Sequence, residues 1–206
     1  MNKIILNQNF KFNYNPFSGL ENHEIQHALV AQFDIPTIIQ QINNHEPLLI
    51  EFVGKQGRGK TTHLTHLQQH LQQYPIFLLN ASSNYHSILE HPSDIVFIDS
   101  IHHIPFIQRI KIYKTKRVVI FTTHWTRKWE SLFSKKTFHQ IQFSGITQDK
   151  LSQIIQNRIE LAIQDKNIDI QLNQSEIKRL IKIYGDDYRG IINHLYDKFQ
   201  QNERLF

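Results

Sequence analysis

The chain has 206 residues, a formal net charge of +5 and 13 histidines, which is room for one sizeable α/β core and a small appendage but not for two full catalytic domains. It contains no cysteine, which excludes disulfides, thiolate catalysis and zinc-thiolate sites and suits a reducing, cytoplasmic setting. No apolar run approaches the roughly 18 to 20 residues of a membrane span, and the start at Met1–Gln8 is too short an apolar stretch for a secretory signal, so no membrane partner is expected.

In chain order, Asn15-Pro16-Phe17-Ser18-Gly19 reads as a turn, and residues 22–41 as helix interrupted near Asp34-Ile35-Pro36. Residues 1–44 are expected to be an N-terminal arm or linker. The first strand-length apolar run, Leu48–Val53, leads into Gly54-Lys55-Gln56-Gly57-Arg58-Gly59-Lys60-Thr61, which satisfies the phosphate-binding pattern G-x-x-x-x-G-K-[ST]. A helical stretch over 61–73 follows, so the loop lies between a strand and a helix N-terminus, where backbone N–H groups and the helix dipole favour anions.

Each residue of the loop has a chemical reason to be there. Gly54, Gly57 and Gly59 allow close backbone approach to a phosphate. Lys60 supplies a point charge to the β- and γ-phosphates, the Thr61 hydroxyl is placed to ligate Mg²⁺, and Thr62 extends the helix start. The chain is therefore expected to bind ATP or ADP with Mg²⁺ through residues 54–62. His63, His66 and His70 recur on one face of the following helix, but no carboxylate or thiol completes a metal set there.

The second and third strand-length runs are Ile76–Leu79 and Ile95–Asp99. The third ends in a carboxylate, and a strand of that kind beside a phosphate loop can hold the Mg²⁺ shell through Asp99. Arg109, Lys111, Lys114, Lys116 and Arg117 then form a basic stretch, joined by Arg127, Lys128, Lys135 and Lys136 around Trp125 and Trp129. This pattern suits either a solvated face or a surface for nucleic acid. Between the two basic groups, the fourth run, Val118–Thr122, ends in Thr122-Thr123-His124, at the strand terminus where open α/β sheets keep their ligands.

The fifth run is Phe138–Phe143, and after Gly145 the pattern turns helical. Thr147 reads as an N-cap, Leu151, Ile155 and Ile159 keep a helical period, and two further helices are expected near 174–184 and 187–200. The fold class expected is α/β: a five-stranded, mostly parallel sheet flanked by helices over residues 45–145, followed by a small all-helical lid over 146–206.

The order of phosphate loop, apolar strand ending in Asp99, polar strand end at Thr122-Thr123-His124 and helical tail carrying Gly185-Asp186-Asp187-Tyr188-Arg189 resembles that of an AAA+ ATPase. Within that family it is most similar to the DnaA-related initiators, initiator regulators, helicase loaders and transposition ATPases. The resemblance covers roughly residues 45 to 200. It implies Walker A at Gly54–Thr61, Walker B at Ile95–Asp99, sensor 1 at His124 with Thr123 second, and sensor 2 at Arg189. Asp99, His124 and Arg189 are thus the residues it implies for catalysis.

The sequence departs from the family pattern in three places, one being that only the 15 residues 80–94 separate the second and third strands, too few for the extra helix by which initiators wrap DNA. Ser100 stands where a second Walker B carboxylate would polarise water, so hydrolysis is expected to be slow. Leu132-Phe133-Ser134-Lys135-Lys136 offers lysines where the family carries an arginine finger. The functions implied are an ATP-binding switch that assembles or recruits a DNA-transacting partner in replication, transposition or defence, or a nucleotide-bound adaptor that does not hydrolyse. A small-molecule P-loop kinase stays open beside them.

Overall fold

The computed structural model describes residues 12–44, 46–164 and 173–201. They fall into two compact units, one over Ala31–Phe143 and one made of the described residues up to Val30 and from Ser144 onward.

The first unit begins with α2 (Ile35–Asn43), entered through Pro36 in its first turn; the helix before it, α1 (Asn22–Ala28), belongs to the second unit. A sheet of five strands follows: β1 (Leu48–Val53), β2 (Ile76–Leu78), β3 (Ile95–Asp99), β4 (Val118–Thr123) and β5 (Thr137–Gln142). Their spatial order is β2-β3-β4-β1-β5 and every pairing is parallel. Between them lie α3 (Lys60–Gln69), α4 (His86–Glu90) and α5 (Phe106–Thr115), with short 3-10 turns at Ile101–His103 and Lys128–Phe133.

The sequence explains this arrangement. Parallel strands covered on both faces must be apolar throughout, and β1, β3 and β4 are buried along nearly their whole length. Side chains alternate across a strand, so Ile50, Phe52, Phe97 and Ile120 pack on one face with Leu64 and Leu67 of α3 and with Ile38 and Ile42 of α2. Leu49, Ile98, Val119 and Phe121 pack on the other with Ile112 and Tyr113 of α5. Each such side chain, fully buried, stabilises the fold by about 1.5–3 kcal/mol. The central position of β1 and β4 sets the carboxyl ends of β1, β3 and β4 side by side.

The second unit is built from α6 (Gln148–Ala162), α7 (Gln174–Tyr184) and α8 (Tyr188–Gln200), together with α1 and the chain before it. Each of the three long helices is capped by a side chain, Thr147 as expected from the sequence and Asn173 and Asp187 besides. Thr147 Oγ1 accepts the Lys150 N–H at 3.2 Å, Asn173 Oδ1 accepts that of Ser175 at 2.9 Å, and Asp187 Oδ1 accepts that of Gly190 at 3.1 Å. Leu151, Ile155 and Ile159 of α6 meet Ile177 and Leu180 of α7 and Ile191 and Leu195 of α8.

Phe17 is buried in this helical cluster, and Phe12 and Phe17 set their rings edge-on to Phe199 at 5.2 and 6.4 Å. Arg158 donates to the carbonyls of Pro16 and Ser18, and burial pulls its guanidinium down to about 10. The stretch that the sequence groups as one arm over residues 1–44 is therefore divided: residues 12–30 pack in the helical unit and residues 31–44 in the sheet unit. Nothing in the local pattern of residues 12–30 announces partners more than a hundred residues away.

Candidate functional site

The site begins where β1 stops. Gly54 follows it, and a Cβ at this position would lie 2.3 Å from the Phe143 carbonyl oxygen, so no larger residue fits without moving backbone. Gly57 and Gly59 have φ of 81° and 78°, the left-handed region in which a side chain is strained. Gly59 also caps α3, so the loop turns directly into a helix N-terminus.

Lys60 is buried, and its Nζ donates at 2.7 Å to the carbonyls of both Gly54 and Lys55. Its charge is thereby held against the loop. Arg58 donates to the Phe143 carbonyl at 3.3 Å, while Lys55 and Gln56 are exposed at the loop's crest.

Asp99, at the end of β3, is the meeting point of three elements. Thr61 Oγ1 from α3 donates to Asp99 Oδ1 at 2.9 Å, and Thr122 Oγ1 from β4 donates to the same oxygen at 2.7 Å. The Thr122 hydroxyl also accepts the Ser100 N–H at 2.8 Å. Oxygens occupying adjacent corners of a Mg²⁺ octahedron with bonds of about 2.1 Å lie roughly 3 Å apart. The Thr61 and Asp99 oxygens have that spacing, so the pair fits a divalent cation. Among the described residues no group of three or more His, Cys, Asp or Glu is placed to hold a metal ion.

Ser100 has φ 62° and ψ 49°, a left-handed conformation that a non-glycine residue adopts at a cost of about 1–2 kcal/mol. Its hydroxyl lies 3.4 Å from Asp99 Oδ2. His124, just past β4, turns Nδ1 toward the Gly54 carbonyl at 3.4 Å, and its ring is 5.0 Å from that of His102, which lies 4.2 Å from that of His103. Burial, and then the neighbouring His103 and His124, push His102 below the usual imidazole range. Three imidazoles therefore gather beside the loop.

Of the residues read from sequence, the structure brings Gly54 to Thr62, Asp99 and His124 together. Thr123 turns away, donating to the Trp125 carbonyl at 3.1 Å, and it is Thr122 that reaches Asp99. The sequence offers Thr122, Thr123 and His124 together at this strand end, and the family resemblance favours His124 and then Thr123; strand alternation, counted from an apolar residue of known face, is the signal that separates the two threonines. Arg189 is exposed on the first turn of α8, in the helical unit.

The basic stretch is largely used up inside the fold. Arg109 is buried and donates from Nε and Nη2 to the two carboxylate oxygens of Glu130, at 2.9 and 2.5 Å. Lys116 is buried and donates to the His91 carbonyl, and Arg117 pairs with Asp94 at 2.7 Å. Only Lys111 and Lys114 of the five are exposed. Glu51, passed over in the middle of β1, is a buried carboxylate raised by desolvation and held by the Arg127 N–H, Gln140 and Thr126.

No protein-family model matches the sequence, and no curated protein is similar to it in sequence. Solved structures do match. A DNA replication initiation factor superposes with a TM-score of 0.57 at 13% identity, covering 86% of this chain and 64% of its own. The replication initiator DnaA bound to AMPPCP and single-stranded DNA gives 0.56 at 14%, covering 81% and 60%. At these identities the likeness is one of fold. This is the AAA+ fold. A third AAA+ structure, the Thermotoga maritima RuvB Holliday junction branch migration motor, gives 0.50 at 16% and covers 74% and 54%. The chain spans between 54% and 64% of the length of these three AAA+ structures. No helix among the described residues is long and apolar enough to cross a membrane.

Proposed function

We propose that the protein is an ATP-binding switch that couples nucleotide binding to assembly or to recruitment of a DNA-transacting partner. The observation that carries the reading is the convergence of the Thr61 and Thr122 hydroxyls on one oxygen of Asp99, beside a loop whose Gly54, Gly57 and Gly59 are each conformationally required. In this reading the loop backbone from Gly54 to Gly59 and Lys60 hold the phosphates, and Thr61 and Asp99 hold Mg²⁺, whose charge would offset that of the β- and γ-oxygens. His124 is the polar group nearest the loop for sensing the γ-phosphate, and Arg189 is the candidate from the helical lid, residues 146–206.

The neighbours support this partner class: they are a replication initiation factor, an initiator bound to single-stranded DNA and a branch migration motor. Hydrolysis is slow in this reading, because Ser100 cannot take a proton from water near neutral pH as a carboxylate would. That same residue favours a second reading, in which ATP or ADP is retained as a structural ligand in an adaptor subunit.

The deciding experiment is steady-state ATP hydrolysis, with Lys60→Ala as the blank, with and without duplex DNA at two salt concentrations. Turnover stimulated by DNA and lost at higher salt supports the DNA-coupled switch. ATP binding with no turnover above the blank supports the adaptor. Failure to bind ATP overturns both.

A further inference from the structure

Six of the nine exposed large apolar side chains among the described residues lie between positions 106 and 133: Phe106, Ile107, Trp125, Trp129, Leu132 and Phe133. Phe106 stacks on Trp129 at 5.1 Å, and Phe133 stands edge-on to both rings at 6.0 and 6.2 Å. A cluster of this size on a soluble surface marks an interaction site.

Its scaffold is rigid. The buried fork between Arg109 and Glu130 ties α5 to the 3-10 turn that carries Trp129 and Phe133, and buried Glu51 holds the backbone at Arg127 and the Thr126 hydroxyl. A surface ordered in advance loses little entropy on binding.

Charge selects the occupant. From Ser100 to Lys136 the chain has nine lysines and arginines and one acid, Glu130, and that acid is fully buried. The exposed charges on the elements that carry the aromatic cluster are Lys111 and Lys114 of α5, and Lys128 and Lys135, which flank Trp129 and Phe133 in the chain. A second copy presenting the same face would meet like charge. Single-stranded nucleic acid stacks its bases on a series of open ring faces, whereas Phe106 and Trp129 each cover one face of the other, Trp125 at 76% exposure offers one open ring, and Ile107 and Leu132, at 75% and 82%, have none, which weights the face toward apolar side chains.

We infer that this face docks a partner protein through an amphipathic segment whose apolar side chains cover the Phe106–Trp129–Phe133 cluster while its carboxylates meet the surrounding lysines. The recognition is that of an apolar helix face laid on a hydrophobic surface. It goes beyond the nucleotide reading and does not depend on it.

Trp125 and Trp129 are the chain's two tryptophans, so intrinsic fluorescence reports this face alone. The test titrates the nucleotide-free full chain with a synthetic helical peptide carrying leucine at helical spacing and glutamate elsewhere. The controls are the same peptide with lysine for glutamate, and oligothymidine. The expected result is a blue shift and protection from acrylamide quenching by the acidic peptide, with binding at least roughly tenfold tighter than the lysine peptide and weakened about tenfold or more by Leu132→Glu. Leu132 is exposed, and circular dichroism confirms that the variant folds. Equal binding of both peptides, a response to oligothymidine alone, a shift that grows with protein concentration without peptide, or no response at all overturns the proposal.

Discussion

Thr122 binds both residues at the end of β3: its hydroxyl donates to Asp99 Oδ1 at 2.7 Å and accepts the Ser100 N–H at 2.8 Å. One buried side chain on β4 thus fixes the carboxylate proposed for Mg²⁺ and the backbone turn after it. Thr122→Val keeps the shape and removes the hydroxyl, leaving the Ser100 N–H without its acceptor. The expected loss is about 1–3 kcal/mol of stability, read from urea denaturation, with weaker Mg²⁺-dependent ATP binding by calorimetry. Unchanged binding would remove Thr122 from the site.

Gly54→Ala places a methyl group 2.3 Å from the Phe143 carbonyl. Because both partners are backbone, the clash is relieved only by moving β1 away from the segment after β5. The variant is expected to lose ATP binding together with several degrees of melting temperature. Lys60→Ala, by contrast, should lose ATP binding while keeping most of its stability. A thermal shift series with and without ATP separates the two.

Ser100 is strained, and its replacement tests strain and chemistry separately. Ser100→Gly relieves the left-handed conformation and is expected to raise stability by up to about 1 kcal/mol, net of glycine's greater entropy when unfolded. Ser100→Glu restores a carboxylate beside Asp99 and is expected to raise ATP turnover where water is otherwise well placed. If turnover stays at the Lys60→Ala blank while ATP still binds, the serine is not what limits hydrolysis.

Most of the sheet was legible because it is covered on both faces: β1, β3 and β4 read as largely apolar runs, interrupted by Glu51 in β1 and turning polar at Asp99 and Thr122-Thr123. The turn from β1 into α3 was legible because Gly54, Gly57 and Gly59 are demanded locally. What escaped depends on contacts between distant residues. Arg109 looks like surface charge until Glu130 arrives 21 residues later to bury it, and Thr122 differs from Thr123 only in which face of β4 it occupies. Residues 12–30 carry no local mark of the helices that cover them.

The Arg109–Glu130 pair is buried on both sides, with 7% and 0% of the two side chains exposed. Removing one partner strands the other charge away from water. Glu130→Ala is expected to cost about 3–5 kcal/mol, while Lys128→Ala on the exposed surface should stay within about 0.5 kcal/mol. Chemical denaturation of the two variants checks the contrast.

Lys136 supplies the pH dependence. Its Nζ donates to the Arg117 carbonyl at 3.0 Å, and burial lowers the amine from 10.5 to about 8. The unfolded chain therefore binds more protons than the folded chain between about pH 8 and 10.5, so this residue's contribution makes stability rise with pH across that window. Urea midpoints at pH 7.5, 9 and 10 should diverge between the wild type and Lys136→Met, the wild type gaining relative to the variant as pH increases. Parallel curves would refute the shift.

The edge-on contact of Phe12 and Phe17 with Phe199 has a consequence during synthesis. The ribosome releases the two early phenylalanines long before their partner exists, since about 180 residues separate Phe17 from Phe199. At about 5–20 residues per second the wait is roughly 10 to 40 s. Through that interval Phe12 and Phe17 lack the Phe199 ring, and the cover that α6 begins to supply is completed only when α8 has been made.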